Sequence, residues 1–381
     1  MSISSTGVAI PLSGRDLRIL LGDVLGGYRL TQEEAVSLLK VRGNDVWRVA
    51  AAADEQREGA VGDAVTYVRN QNINVTNLCI NSCGFCGFSR KPGDPDAYYF
   101  PCDVVRAKAA QALSRGVTEI CTVSGLHPDF DAGSYLDIIS CIRQGAPGVH
   151  IHASNPMEVA YGAQKSGITT LEMLGMMKEA GLGSLCGTAA EILVDEVRVI
   201  ICPGKVSTAD WVRIIKEAHS LGIRSTATIM YGHCETAEDQ ARHLAIIRQI
   251  QDETGGFTEF VPLSFIHRET PLYRKGLARA GATGREDLLM IAVSRLFFDN
   301  IPHIQVSWVK LGLKMAQMCL LSGGDDLGGT MFEESISKGA GAVNTDYLDP
   351  AEMRRMAEDI GRSLQQRTTL YTIPCNTDPA G

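Results

Sequence analysis

The chain has 381 residues, 45 % of them hydrophobic and 21 % charged, with a formal net charge of −8. This make-up excludes a long disordered tail and argues against a broad basic nucleic-acid face, and no apolar run reaches the roughly eighteen residues of a membrane span. Eleven cysteines, an odd number spread along the chain, argue against a secreted disulfide framework. With no basic-then-apolar leader at the start, they point instead to a reducing, cytoplasmic setting.

In chain order, residues 1–64 read as a helical lead-in. Thr31 and Glu34 make a capping box ahead of Ala35, Leu38 and Leu39, and an alanine-rich helix runs from Asn44 to Glu58 before Gly59. From Ile73 the pattern becomes alternation. Strands are expected at Ile73–Thr76, Glu119–Val123, His150–Ala153, Ser225–Met230, Phe257–Pro262 and Ile304–Val309. Helices are expected between them. The clearest spans Ser207–Leu221, capped by Ser207 and Asp210 and ended by Gly222; Trp211, Ile214, Ile215 and Ala218 make its apolar face. Another covers Glu238–Ile250. Repeated strand–helix units over residues 65–345 imply an α/β fold, a complete or partial (βα) barrel, with a doubly wound sheet as the rival. A charged helix, Asp349–Gln366, and a short polar tail fill 346–381.

The stretch that carries chemistry is Cys79-Ile-Asn-Ser-Cys83-Gly-Phe-Cys86, directly after the first expected strand. Catalytic groups of a (βα) barrel sit on the loops after its strands. A four-iron cubane usually takes four thiolates; three leave one iron with open positions. A zinc knuckle would want a fourth ligand, and His127 and Cys102 are not placed like finger ligands. A ferredoxin-type cluster would want a fourth cysteine close by. Cys102, Cys121, Cys141, Cys186, Cys202, Cys234, Cys319 and Cys375 read as packing residues. Arg198 reads as half of a surface ion pair.

The three-cysteine motif resembles that of the radical S-adenosylmethionine (SAM) superfamily. From about residue 70 to about 345 the chain resembles, within it, the group that builds deazaflavins and futalosine-derived menaquinone precursors. Phe88-Ser-Arg90, Val123-Ser-Gly-Leu-His-Pro128, Met230-Tyr-Gly-His233, Gln251-Asp-Glu-Thr-Gly-Gly-Phe257 and Glu333-Glu-Ser-Ile-Ser337 carry the likeness. Gly93-Asp-Pro-Asp-Ala-Tyr98, Gly187-Thr-Ala-Ala-Glu191, and Glu259-Phe-Val-Pro-Leu263 with His267 and Pro271-Leu-Tyr273 favour the deazaflavin branch. The chain departs from the pattern at Ser154, where an aromatic residue is usual, and at Cys234, where a valine is.

The resemblance implies a [4Fe–4S] cluster on Cys79, Cys83 and Cys86, with SAM on the fourth iron. It implies Phe85 against the adenine, Ser124 and Gly125 beside the methionyl amine, and Glu191 on the ribose or a substrate amine. His127, Tyr231, His233 and His267 are candidates for substrate contact. It implies a transferase that cleaves L-tyrosine and joins its 4-hydroxybenzyl group to 5-amino-6-(D-ribitylamino)uracil, fed by an electron donor and working with the other deazaflavin synthase subunit. In that scheme a deoxyadenosyl radical takes a hydrogen atom from the tyrosine amine before the Cα–Cβ bond breaks. No nucleic acid or membrane partner is expected, and the length suggests a stand-alone subunit. An enzyme of the futalosine route and a non-catalytic metal-binding protein stay open as alternatives.

Overall fold

A computed structural model describes residues 16–343 and 347–374. Its strands are β1 (Val65–Val68), β2 (Asn70–Asn72), β3 (Glu119–Thr122), β4 (His150–Ala153), β5 (Ser184–Leu185), β6 (Arg224–Tyr231), β7 (Phe257–Ser264), β8 (Asp326–Gly329) and β9 (Leu364–Arg367). Strands β2 to β7 form one parallel sheet in sequence order. Isolated parallel bridges (Phe260 with Ile304, Gln305 with Asp326, Gln71 with Phe332) carry the pairing on from β7 to β8 and back to β2. Backbone hydrogen bonding therefore runs round the ring, as in a (βα) barrel. Helices such as Cys102–Ser114, Ala132–Gly145, Thr208–Ser220 and Ala237–Thr254 form the outer layer.

Local chemistry explains the helix starts. Thr31 and Glu34 satisfy each other's backbone reciprocally, and Ser207 accepts from the Asp210 N–H. The apolar stripe of Thr208–Ser220 (Trp211, Ile214, Ile215, Ala218) is buried, as its spacing predicts. The lead-in helices Gln32–Leu39 and Asn44–Val61 pack on Ala237–Thr254 and Gly284–Phe297.

The lower lumen is polar. Arg367 on β9 pairs with Asp326 (2.5 Å) and Glu259 (3.2 Å), Tyr371 donates to Glu259 (2.6 Å), and His303 stacks on Tyr371 at 3.6 Å. Glu259, expected as part of a family motif, thus belongs to the floor. Higher up, the ligand atoms of Cys121, His152 and Cys186 lie within 4.8 Å of one another. Their sequence separation had hidden that juxtaposition.

Several expectations need correction. Ile73–Thr76 lies beyond the first barrel strand, whose paired residues are the polar Asn70, Gln71 and Asn72, all buried. Only Ile304 and Gln305 of Ile304–Val309 carry bridges, and Trp308–Leu311 is a helical turn. The terminal helix is Pro350–Asp359, and Leu364–Arg367 instead pairs with β1 after Gly361 turns the chain at φ 78°. Cys102 and Cys141 are not packing thiols but a disulfide that joins Cys102–Ser114 to Ala132–Gly145. Arg198 is buried rather than on the surface. Cys375 lies outside the described residues.

Candidate active site

The loop after β2 is a cage of its own hydrogen bonds. Cys79 N–H donates to Arg90 O (3.0 Å) and Arg90 N–H to Asn77 O (2.8 Å). The Arg90 guanidinium gathers the carbonyls of Gly87, Phe88 and Ser89 at 3.0–3.2 Å while it pairs with Asp96. Lys91 takes those of Cys79 (2.9 Å), Ile80 and Asn81. Asn77 receives the Tyr98 N–H and donates to Asp96 O, both at 2.8 Å. The Gly93–Tyr98 motif is therefore a brace for the cysteine loop.

Two glycines set how closely the neighbouring segments approach. A Cβ on Gly125 would stand 2.2 Å from Leu78 O, and one on Gly87 2.1 Å from Gly339 O. The β2 and β3 loops are zipped by Gly125 N–H to Thr76 O (2.9 Å) and Ile80 N–H to Leu126 O (3.0 Å). Leu126 N–H points at Cys79 Sγ (3.4 Å).

Above the ring opens a cavity of about 220 Å³ lined by Cys79, Cys83 and Cys86, with Phe85 beside them. These residues fit a site-differentiated cluster. Three free thiols share one cavity, no fourth cysteine lines it among the described residues, and the glycine contacts hold the loop against its neighbours. Without metal, burial pushes the Cys83 thiol up to about 12.

The opposite wall comes from the loops after the strands. Ser124 and Gly125 follow β3, Asn155 and Glu158 follow β4, and Thr188, Ala189 and Glu191 follow β5; all line the cavity. Glu158 accepts from Ser124 N–H (3.1 Å) and Asn155 N–H (3.0 Å). Burial outweighs those bonds and raises its carboxyl to about 8. Ala189 and Glu191 sit at φ 66° and 46°, a left-handed conformation that side chains rarely adopt. Arg198 braces that turn from below through the carbonyls of Ala189 (3.2 Å), Ala190, Ile192 (3.2 Å) and Val206 (2.6 Å). Glu191 is thereby presented to Lys205, whose ammonium lies 2.5 Å from its carboxylate and 5.1 Å from the Phe85 ring centre. Burial works against the Lys205 charge, but Glu191 and the nearby thiols outweigh it and the pKa is raised.

The cysteines, Phe85, Ser124, Gly125 and Glu191 are thus brought together. The other four candidates are not among the cavity-lining residues. His127 stacks on Phe130 at 4.9 Å and accepts from Asp129 N–H. Tyr231 is fully buried and donates to Asp287 (2.8 Å). His233 sits between Met230 O and Glu235, both at 3.1 Å, and His267 packs on Tyr273 at 4.6 Å. Sequence reasoning missed Glu158, Lys205 and Lys310, which line the cavity. Of these, Glu158 carried a signal: it stands three residues after the N-cap Asn155, in a capping box at the end of a predicted strand.

Residues 73–246 match the radical SAM superfamily model, and 254–377 match the CofH/MqnC C-terminal region. A 5-amino-6-(D-ribitylamino)uracil–L-tyrosine 4-hydroxyphenyl transferase of Methanoculleus marisnigri is 71 % identical over 94 % of this chain and 97 % of that protein. One of Methanosphaerula palustris is 70 % identical over 94 % and 98 %. The crystal structure of methylornithine synthase shares the fold, with a TM-score of 0.71 and 19 % identity over 90 % of this chain and 97 % of that one. The chain belongs to the radical SAM superfamily and, within it, to the family of 5-amino-6-(D-ribitylamino)uracil–L-tyrosine 4-hydroxyphenyl transferases.

Proposed function

We propose that this radical SAM transferase cleaves L-tyrosine and joins its 4-hydroxybenzyl group to 5-amino-6-(D-ribitylamino)uracil, a step in deazaflavin coenzyme synthesis. What carries the reading is the meeting of three thiols at the head of a barrel, in a chain 71 % identical to a transferase so named. Cys79, Cys83 and Cys86 would hold a [4Fe–4S] cluster. When bound and reduced, that cluster supplies the electron that cleaves SAM and so generates the hydrogen-abstracting radical.

The chain's own residues bind, orient and exclude water. Ser124 and Gly125 spend their N–H groups on Glu158 and Thr76. The carbonyl oxygens of this turn are what remain to accept from the methionyl amine. Phe85, flanked by Cys86 and with Lys205 over its ring, is the proposed stacking partner of the adenine. Glu191, already turned toward the cavity, offers a carboxylate to the ribose hydroxyls or a substrate amine. Glu158, with its carboxyl near 8, keeps its proton through neutral pH and can donate as well as accept. Met230, Leu263, Phe265 and Ile266 shield the far side from water. An electron donor and the other deazaflavin synthase subunit complete the proposed partners. No helix among the described residues is long and apolar enough to cross a membrane. The cytoplasm is the proposed setting for an iron–sulfur enzyme, although the Cys102–Cys141 disulfide is uncommon in a reducing compartment.

The test is anaerobic reconstitution with iron and sulfide, then reduction in the presence of SAM, tyrosine and the ribitylaminouracil. Deoxyadenosine and a tyrosine-dependent pyrimidine adduct, followed together by mass spectrometry, are the expected products. Replacing any of Cys79, Cys83 or Cys86 with serine should abolish both and lower bound iron. Deoxyadenosine without adduct would refute the substrates and redirect the search to the futalosine route. A reduced, intact cluster that yields neither product would refute the function.

A further inference from the structure

The proposed reaction brings two α-amino acids into one cavity, the methionyl part of SAM and the tyrosine. Each carries a carboxylate that has to be matched when water is expelled. The first has an iron to bind. The second needs a cation from the protein.

Among the residues that line the cavity, the cations are Lys205 and Lys310. Lys205 is committed: it pairs with Glu191 and lies over Phe85, on the side of the cysteine loop. Lys310 is different. It lies on the short helix Trp308–Leu311, just after the barrel bridges at Ile304 and Gln305, at the end of the ring where barrel enzymes keep their reactive groups. Its ammonium is half-buried and donates to a neutral group, Ser337 Oγ, at 2.8 Å. The nearby Glu334 carboxylate spends its oxygens elsewhere, on Ser337 N–H (2.7 Å) and Asn72 Nδ2 (2.5 Å). Burial lowers the Lys310 pKa, the mark of an ammonium short of a direct counter-ion. A carboxylate arriving from the cavity would supply it.

The surroundings say what kind of carboxylate. The cavity is two-sided. The walls from β3, β4 and β5 carry Ser124, Asn155, Glu158, Thr188 and Glu191. The walls from β6 and β7 carry Met230, Leu263, Phe265 and Ile266, with Ser264 as their one polar member, and Ile336 continues that largely apolar surface beside Lys310. An apolar slot with one cation at its edge suits an amino acid with a large aromatic side chain.

We propose that Lys310 is a specificity-determining residue that holds the carboxylate of the tyrosine substrate, with Ser337 aiming its ammonium. The role rests on the assignment of tyrosine above. The discriminating probe is tyramine, which keeps the phenol and the amine and lacks the carboxylate.

Equilibrium binding of tyrosine and tyramine is measured on the cluster- and SAM-loaded protein without reductant, so that no turnover intervenes. The wild type should prefer tyrosine. Lys310→Met should weaken tyrosine about 10- to 100-fold, the worth of a hydrogen bond to a charged group, and leave tyramine and SAM binding unchanged. Lys310→Arg should restore part of the preference, and Ser337→Ala should lower it less than Lys310→Met does. Under turnover, the KM for tyrosine should rise while that for the pyrimidine stays. Iron content and circular dichroism show whether Lys310→Met is folded. If it is not, the Lys310→Arg and Ser337→Ala ratios decide. A preference for tyrosine that survives in folded Lys310→Met, or that collapses in Lys205→Met instead, overturns the role of Lys310 and leaves the transferase reading intact. A wild type that forms no adduct from tyrosine overturns both.

Discussion

A methyl group at position 125 tests the cluster assignment without touching a cysteine. The Cβ of Gly125→Ala would stand 2.2 Å from Leu78 O, 2.8 Å from Leu78 C and 3.1 Å from Asn77 C, all backbone atoms that cannot swing aside. To open the first contact to the 3.0 Å that real Cβ atoms respect, the β2 and β3 loops must part by about 0.8 Å. The displaced peptide is the one that enters Cys79. The bonds at risk are Gly125 N–H to Thr76 O and Leu126 N–H to Cys79 Sγ. Metal–ligand distances tolerate about 0.2 Å, so a 0.8 Å displacement exceeds what the ligand set absorbs. Overpacking of this kind costs about 1–3 kcal/mol, and a misplacement near 1 Å in a catalytic constellation costs about 10²-fold in rate. Gly125→Ala should therefore bind less iron after reconstitution and form deoxyadenosine about 10²-fold more slowly. Gly175→Ala is the control, because its Cβ meets nothing within 4 Å and it lies inside the helix Thr170–Ala180. Wild-type iron content and wild-type SAM cleavage in Gly125→Ala would refute the claim that this contact positions Cys79.

Two further predictions concern the barrel itself. Arg367→Met removes the buried cation shared by Asp326 and Glu259, and should cost about 3–5 kcal/mol in a denaturant titration; Arg355→Ala, at an exposed pair, should change little. Equal midpoints for the two variants would refute the floor as a stabilising network. Burial pushes His243 down to about 3, and His152 and His219 to about 4. The unfolded chain then binds more protons than the folded one below about pH 6.5. Their contribution is full above that pH and is lost on acidification toward 3–4, by up to about 1.4 kcal/mol per pH unit for each group. His243→Gln should flatten this slope in thermal melts between pH 6.5 and 4, and an unchanged slope would show that His243 is not the sensor.

What the sequence by itself determined was local. The three and two residues between the cysteines suffice to put their thiols on one loop, whatever surrounds it. Capping at Thr31 and Ser207 and the stripe from Trp211 to Ala218 depend on neighbours within one or two helical turns. All of these came through unchanged. Tertiary structure decided the rest. The first barrel strand is Asn70–Asn72 and another is Asp326–Gly329, segments whose polar side chains hide a strand from periodicity. They serve because Arg367 and Glu119 bond those side chains inside the ring, while Thr330 Oγ1 accepts the Asn70 backbone N–H. The histidines after the strands face other neighbours, because position after a strand does not set the direction of a side chain. Glu158, Lys205 and Lys310 meet in one cavity only because parallel pairing brings the ends of β4, β5 and the bridged segment at Ile304 and Gln305 to the same rim. That convergence is set by the order of strands around the ring, a long-range property that no window of sequence contains.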